Sequence, residues 1–376
     1  MIIKNGLIFQ KEGSFKQGDL HIQGEYIVKQ EENIKDENVI DAEGLYVIPG
    51  LIDIHFHGCV GYDFCDGTSE ALEKIAYYQA QNGILAICPA SMTFSEEHLA
   101  AIFENAANYQ GEKGASLVGI NMEGPFISME KKGAQNGTFI HKLDADMFLR
   151  LQEKAKGMIK LVDIAPEVEG AMAFIEEVGE KVTVSLAHTA ADYDTSIKAF
   201  EKGAKHVTHL YNAMPAYSHR APGVIGAACD EEKVMVELIT DGIHSHPAVV
   251  RTTFKMFGED RIVLISDSMM ACGLKDGQYE LGGQAVTVRG HLATLTEGGA
   301  IAGSVTNLMD CMRNAVLNMG VPLTSAIKCA TVNPAKAIGI SERYGSLEEG
   351  KLANVILLNK DLEICYIIKE GKIFKS

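Results

Sequence analysis

The sequence predicts an α/β fold: a (β/α)8 TIM-like barrel carrying a small β-sandwich domain built from both chain termini. Three observations predict it. Eight short apolar runs alternate with helical patterns through the middle of the chain. Residues that are hard to bury recur at the same end of those runs. The two ends of the chain are both strand-rich, and unlike the middle.

Residues 1–48 read as short strands at 1–3, 7–9, 19–22, 26–29, 39–41 and 45–48, punctuated by Gly6, Gly13, Gly24 and Gly44. Residues 346–376 look alike, with strands at 350–358 and 364–369 and a Glu370-Gly371 turn. The two segments are expected to share one β domain. Residues 49–345 form the barrel, with apolar runs at 51–55, 84–88, 117–122, 159–164, 182–187, 206–210, 235–240 and 262–266. Helical patterns lie between them at 70–82, 96–109, 144–157, 170–178, 192–202 and 247–257, with another at 305–317. Glycines break residues 271–300 into β pieces, expected to lie over the barrel mouth.

The chain of 376 residues is 47% hydrophobic and 22% charged, ordinary for a globular protein. Its formal charge of -16 argues against nucleic acid or an anionic membrane surface as partner. An anionic substrate would need a local basic pocket. No apolar stretch approaches the ~18 residues of a membrane span, and the start shows no secretion-signal pattern. Eight cysteines without CxxC spacing read as reduced thiols, so a cytoplasmic location is expected.

Barrel enzymes keep their chemistry at the C-terminal ends of the strands. The first run ends in His55 and His57, which strand alternation puts on one face. They read either as metal ligands or as two core histidines. Later runs end in Glu123, His188, His209, the Asp241-Gly242-Ile243-His244 turn and Asp267. Glu123, His188 and His209 would hold Zn2+ or Fe2+ with a position left for water. His55 and His57 could hold a second ion, with Glu123 bridging. Asp267 would take a proton from water and pass it to a leaving nitrogen; its alternative is a helix N-cap. His219 and Arg220, in a polar loop near the same rim, form the kind of basic pair a phosphate needs. His206 falls at the start of its strand, away from that rim. His21, His98, His141 and His291 receive no role.

Pro49-Gly50-Leu51-Ile52-Asp53-Ile54-His55-Phe56-His57-Gly58 resembles the opening signature of the amidohydrolase superfamily. Finer motifs are similar to those of its N-acetylglucosamine-6-phosphate deacetylase family. They are Met122-Glu123-Gly124-Pro125-Phe126, Lys131-Lys132-Gly133-Ala134, Ala187-His188-Thr189, His209-Leu210-Tyr211-Asn212-Ala213-Met214-Pro215, His219-Arg220-Ala221-Pro222-Gly223 and Ile301-Ala302-Gly303-Ser304. The resemblance runs essentially end to end. It implies hydrolysis of the acetamide of N-acetylglucosamine 6-phosphate to glucosamine 6-phosphate and acetate. Glu123, His188 and His209 then ligate the metal and Asp267 moves the proton. Ala134, Asn212, Ala213, Arg220, His244, Ile301, Ala302 and Gly303 match substrate-contact positions, with Arg220 and His244 on the phosphate. It also implies a homodimer, with His219 the candidate for a contact across subunits.

Two departures stand out. The fourth run ends in Ile164-Ala165-Pro166-Glu167, without the lysine that bridges two metals in many amidohydrolases. Gln135 stands where many family members have histidine, which keeps N-acetylgalactosamine 6-phosphate open as the substrate. One or two ions fit a chain that keeps His55 and His57. A non-catalytic sugar-phosphate scaffold would have lost ligands or Asp267, and this chain has all of them.

Overall fold

Short apolar strands that must bury both faces close on themselves, and here they do so with helices packed outside. The structure, a computed structural model, describes residues 1–29 and 38–376; residues 30–37, within the N-terminal segment, lie outside the description. The barrel strands are β1 (Leu51–Asp53), β2 (Ile84–Ile87), β3 (Ser116–Leu117 and Ile120–Glu123), β4 (Ile159–Ile164), β5 (Thr183–Leu186), β6 (His206–Val207), β7 (Met235–Ile239) and β8 (Ile262–Ile265). Each pairs in parallel with the next. The ring closes just past the strand ends, where Asp267 N donates to His55 O at 2.9 Å. At the same seam Ser266 Oγ donates to the buried Asp53 at 2.5 Å.

Outside the strands pack α1 (Ser69–Gln81), α2 (Glu96–Asn108), α3 (Ala145–Lys154), α4 (Ala171–Val178), α5 (Tyr193–Lys202), α6 (Gly223–Asp230), α7 (Pro247–Phe257) and α8 (Leu308–Leu317). Many start where the sequence offers a side-chain cap. Thr68, Ser95, Asp144, Asp192 and Asn307 each accept a bond from a backbone N–H of the first turn. Two further short helices, α9 (Leu323–Ala330) and α10 (Val332–Ala337), follow. Ala335, Ala337 and Ile338 pack against Ile52, Leu161, Met235 and Val263 inside the barrel.

In the terminal segments Ile2–Gln10 is one strand where two were expected, Val355–Leu358 is shorter than the expected 350–358, and Lys372–Lys375 adds a strand. Three elements of the barrel also differ from the sequence expectation. The sixth strand stops at Val207 rather than running to residue 210, because the chain leaves the ladder at His209, where φ is +27. Helix α6 follows it, concealed by the helix-poor Ala221-Pro222-Gly223 start. The third strand is split at Val118-Gly119, where the chain passes so close to Lys160 that a Cβ on Gly119 would lie 2.5 Å from its side chain.

The strands at Ile2–Gln10, Ser14–Gln23, Tyr26–Val28, Val39–Asp41 and Tyr46–Pro49 join those at Val355–Leu358, Ile364–Lys369 and Lys372–Lys375 in one eight-stranded sheet. Its far edge folds back, since Tyr26 bridges Leu352 just ahead of the central strand. Ile3, Ile22, Val47, Val355 and Leu357 fill the core so enclosed. Tyr46–Pro49 hands the chain through Gly50 directly to β1; a Cβ on Gly50 would meet Leu85 at 2.7 Å. The 271–300 excursion is a three-stranded meander, Gly277–Leu281, Gln284–Arg289 and Leu292–Leu295. It buries Leu281, Val286 and Ala293 against Met92 and Met269.

Phe126, three residues beyond Glu123, is held from outside by Phe174 of α4, with ring centroids 5.3 Å apart; Phe148 of α3 stands 5.8 Å from Phe174. Phe174→Ala should cost about 3–5 kcal/mol, read as a lowered midpoint in equilibrium denaturation. A change under about 1 kcal/mol would show that this aromatic stack does not brace the barrel wall.

Candidate active site

The site is built where strands end and the backbone turns. His188 (φ +42), His209 (φ +27) and Asp267 (φ +48) all lie in the left-handed region, just past β5, β6 and β8. Such a turn lifts a side chain out of the strand's alternation and toward the barrel axis. Non-glycine residues pay for it, and the cost tends to be kept where function requires it. Asp267 caps no helix; its carbonyl accepts from Ser304 N at 2.7 Å.

Glu123 is the centre. Its Oε1 lies 2.9 Å from His188 Nε2, 3.2 Å from His209 Nε2 and 3.6 Å from His55 Nε2. Its Oε2 lies 3.3 Å from His57 Nε2, which is in turn 3.4 Å from Asp267 Oδ1. All these side chains are buried. Burial pushes the Glu123 carboxyl up, but His55, His188 and His209 outweigh it and hold it well below the ordinary range. Asp267 behaves likewise: burial raises it, and the His57 hydrogen bond with the neighbouring imidazoles brings it below the usual carboxylate value.

The donor set fits a divalent cation. Glu123 Oε1, His188 Nε2 and His209 Nε2 are mutually 2.9–3.2 Å apart. The edge of a tetrahedron with zinc-like bond lengths is about 3.3 Å. The second ring nitrogens orient two of the imidazoles. His188 Nδ1 bonds the Lys131 carbonyl at 2.9 Å, and His55 Nδ1 bonds Glu237 at 3.0 Å. Each Nδ1–H is donated away, which leaves Nε2 as the ring atom turned toward Glu123 and the one that could ligate an ion on losing its proton. His55 Nε2 is buried without a hydrogen-bond partner, which suits a second cation beside it. His55, Glu123 and His209 can share one ion, and His55, His57 and Asp267 another.

Above the cluster lies a cavity of about 320 Å³, within the size range of small-molecule sites. Its walls include His57, Glu123, His188, His209 and Asp267. Of the expected substrate positions, Ala134, Asn212, Ala213, His244, Ile301 and Gly303 also line it. Four expected residues do not. His55 lies behind the wall, fully buried, and Ala302 is buried beneath the meander, donating to Ala293 O. Arg220 and His219 are exposed at the tip of a tight turn closed by Ser218 N to Ala221 O at 3.1 Å. That turn carries them outward, and Arg220 lines a separate surface pocket with Asp192 and Pro215. Within one chain the expected basic wall is therefore His244 alone; no lysine or arginine is among the described lining residues. Burial pushes the His244 ring down, but Asp241, 2.8 Å from its Nδ1, raises it more. Asn212 N–H is engaged by His209 O at 2.9 Å, so this residue braces the ligand turn.

Sequence reasoning missed the contacts that hold this cluster in place. Glu237 accepts from His55 Nδ1 and from His209 N, both at 3.0 Å. Its signal was available: a glutamate inside the apolar strand β7. Glu167 accepts from Ala190 N at 2.6 Å and from Thr189 Oγ1 at 2.5 Å, fixing the turn after His188. Gln135 spans Thr93 N at 2.7 Å and Glu123 Oε2 at 2.9 Å. Gln284 of the meander donates to the Ala134 carbonyl.

The amidohydrolase family model matches residues 46–374, nearly the whole chain. The chain belongs to the amidohydrolase family. This amidohydrolase is 37% identical to the N-acetylglucosamine-6-phosphate deacetylase of Bacillus subtilis, covering 87% of this chain and 84% of that protein. It is 33% identical to the N-acetylgalactosamine-6-phosphate deacetylase of Escherichia coli O157:H7, covering 89% of each. The crystal structure of the Pasteurella multocida N-acetylglucosamine-6-phosphate deacetylase superposes with a TM-score of 0.93 at 28% identity, covering 100% of this chain and 99% of that one. The barrel expected from the sequence is thus the family's fold. The family is metal-dependent, in agreement with the donor cluster. No helix among the described residues is long and apolar enough to cross a membrane.

Because Asp241 raises the His244 pKa above its ordinary 6.5, the ring keeps more charge near neutrality and loses it as pH rises through the raised value. Asp241→Asn should lower that pKa, visible in a histidine NMR titration, and KM for a phosphorylated substrate should rise. An unchanged His244 titration would remove Asp241 from this role.

Proposed function

We propose that this amidohydrolase removes the acetyl group from N-acetylglucosamine 6-phosphate, giving glucosamine 6-phosphate and acetate in amino sugar catabolism. The observation that carries this reading is the convergence of Glu123, His188, His209 and Asp267 at the floor of a cavity with His244 on its wall. The relatives named above act on just such acetylated sugar phosphates.

Glu123, His188 and His209 would hold the main ion, and His55 with His57 an optional second; Zn2+ and Fe2+ both suit the donors. When bound, such an ion supplies a Lewis acid beside the amide and acidifies nearby water. Asp267, ionised at neutral pH, accepts the proton of the attacking water and delivers it to the departing nitrogen. His244 and the backbone of Ala213 grip the phosphate, so binding energy far from the amide orients it. His219 and Arg220, exposed near the rim, are available to a second copy in a homodimer. Eight free cysteines suit a reducing cytoplasm.

N-acetylgalactosamine 6-phosphate is the second reading. It rests on Gln135, which stands where many family members have histidine, lines the cavity and donates to Glu123, and on the similarity to the Escherichia coli enzyme.

Acetate release from a panel of acetylated hexosamines separates these readings. N-acetylglucosamine 6-phosphate should give the highest kcat/KM, and the sugar without phosphate a value about 100-fold lower or less. Equal rates with and without phosphate would overturn the phosphate site. Asp267→Asn should lower kcat by about 10²–10⁴-fold at unchanged metal content; near wild-type turnover would remove it from proton transfer. Replacing His55 and His57 together should lower metal stoichiometry, and an unchanged value would show that they hold no ion.

A further inference from the structure

The opposite end of the barrel holds a pocket that the proposed reaction does not use. Its volume is about 410 Å³, and Lys160, Lys181, Lys205, Lys233 and Lys336 line it together with His206. Chain topology explains the convergence. Lys181, Lys205 and Lys233 each come one or two residues before a parallel strand, β5, β6 and β7, so all three fall at the same end of the barrel. Just inside that end, Ser185 Oγ of β5 meets His206 Nδ1 of β6 at 3.0 Å. Lys160 sits at a register shift between β3 and β4, unpaired in the ladder. Lys336 belongs to α10, which closes this end and is tied down by Thr183 Oγ1 donating to Ala337 O at 2.9 Å.

Two independent observations point to a ligand. In a chain with 50 acidic and 34 basic residues, the lining holds five lysines and no carboxylate. None of the five is in an ion pair among the described residues. Four of the five are exposed and so screened by water, yet five cations around one pocket with no acidic partner still favour an anion there. The second is His206, whose ring is 99% buried and whose Nδ1 is taken by Ser185, while its Nε2 has no partner. Because His206 is itself a lining residue, a group entering the pocket is the candidate partner for that nitrogen.

We propose that this pocket is a second binding site, for a small, multiply phosphorylated metabolite seated on the lysines with a polar group on His206 Nε2. Five positive charges exceed what a single phosphate neutralises, and the volume lies in the range of small-molecule sites rather than of a polymer groove. Lysine serves here as a point charge for phosphate oxygens.

The test uses the metal-loaded enzyme and isothermal titration with fructose 1,6-bisphosphate and, separately, inorganic phosphate. The bisphosphate should bind wild type, weaken with added salt, and lose about tenfold or more in affinity in the Lys181→Gln, Lys233→Gln double variant. Both side chains are exposed, so thermal unfolding of that variant should match wild type. No bisphosphate binding to wild type, or equal affinity in the variant, would overturn the site. Inorganic phosphate binding as tightly as the bisphosphate would overturn the assignment to a multiply phosphorylated ligand.

Discussion

One buried carboxylate sets the terms for the rest of the molecule. Glu123 is removed from water at the end of β3, and an isolated carboxylate there would cost several kcal/mol. Its charge is tolerable because imidazoles from β1, β5 and β6 converge on it. Each ring must present Nε2, and that demand recruits a further set of groups. Glu237, the Lys131 carbonyl, Gln135 and Glu167 touch a ligand or the turn that carries it. Their positions are fixed in turn by the parallel ladder and by the Asp267–His55 bond that closes it. The barrel therefore serves as a jig for one carboxylate and its neighbours, and its precision matters more than its bulk.

The meander and the terminal sheet fit the same logic. The meander contributes Leu281, Ala300 and Ile301 to the cavity, and Gln284 pins the Ala134 loop from above. The terminal sheet stands away from the cluster, yet its strand Tyr46–Pro49 runs straight into β1. Any shift in the sheet would be carried through Gly50, where the packing against Leu85 leaves no room for a Cβ. His55 and His57 are thus anchored from the N-terminal side before the barrel begins.

The barrel and the polar cluster at its mouth were legible because both follow from short-range rules: strand alternation, apolar runs, and polar residues stranded at one end. Glu123, His188, His209 and Asp267 could be read that way. What escaped depended on which side chains meet across the barrel. Glu237 was visible as a misplaced charge in β7, but its partnership with His55 spans 182 residues. Gln135 looked like a change at the sugar, and it proves also to hold Glu123. Arg220 illustrates the limit in the other direction. Its motif points at phosphate, while the turn from Ser218 to Ala221 aims it at solvent within a single chain. Motif position alone does not determine which way a loop side chain faces.

The left-handed backbone at His188, His209 and Asp267 has an evolutionary consequence. Positive φ costs a β-branched or bulky residue more than it costs Gly, Asn, Asp or His, although Val60 and Tyr211 adopt it in this chain. Substitution at these three positions is therefore biased, without being confined, toward a small set of residues. Apart from glycine, every member of that set carries a side-chain oxygen or nitrogen. The geometry of three peptide units thus favours a site that stays polar.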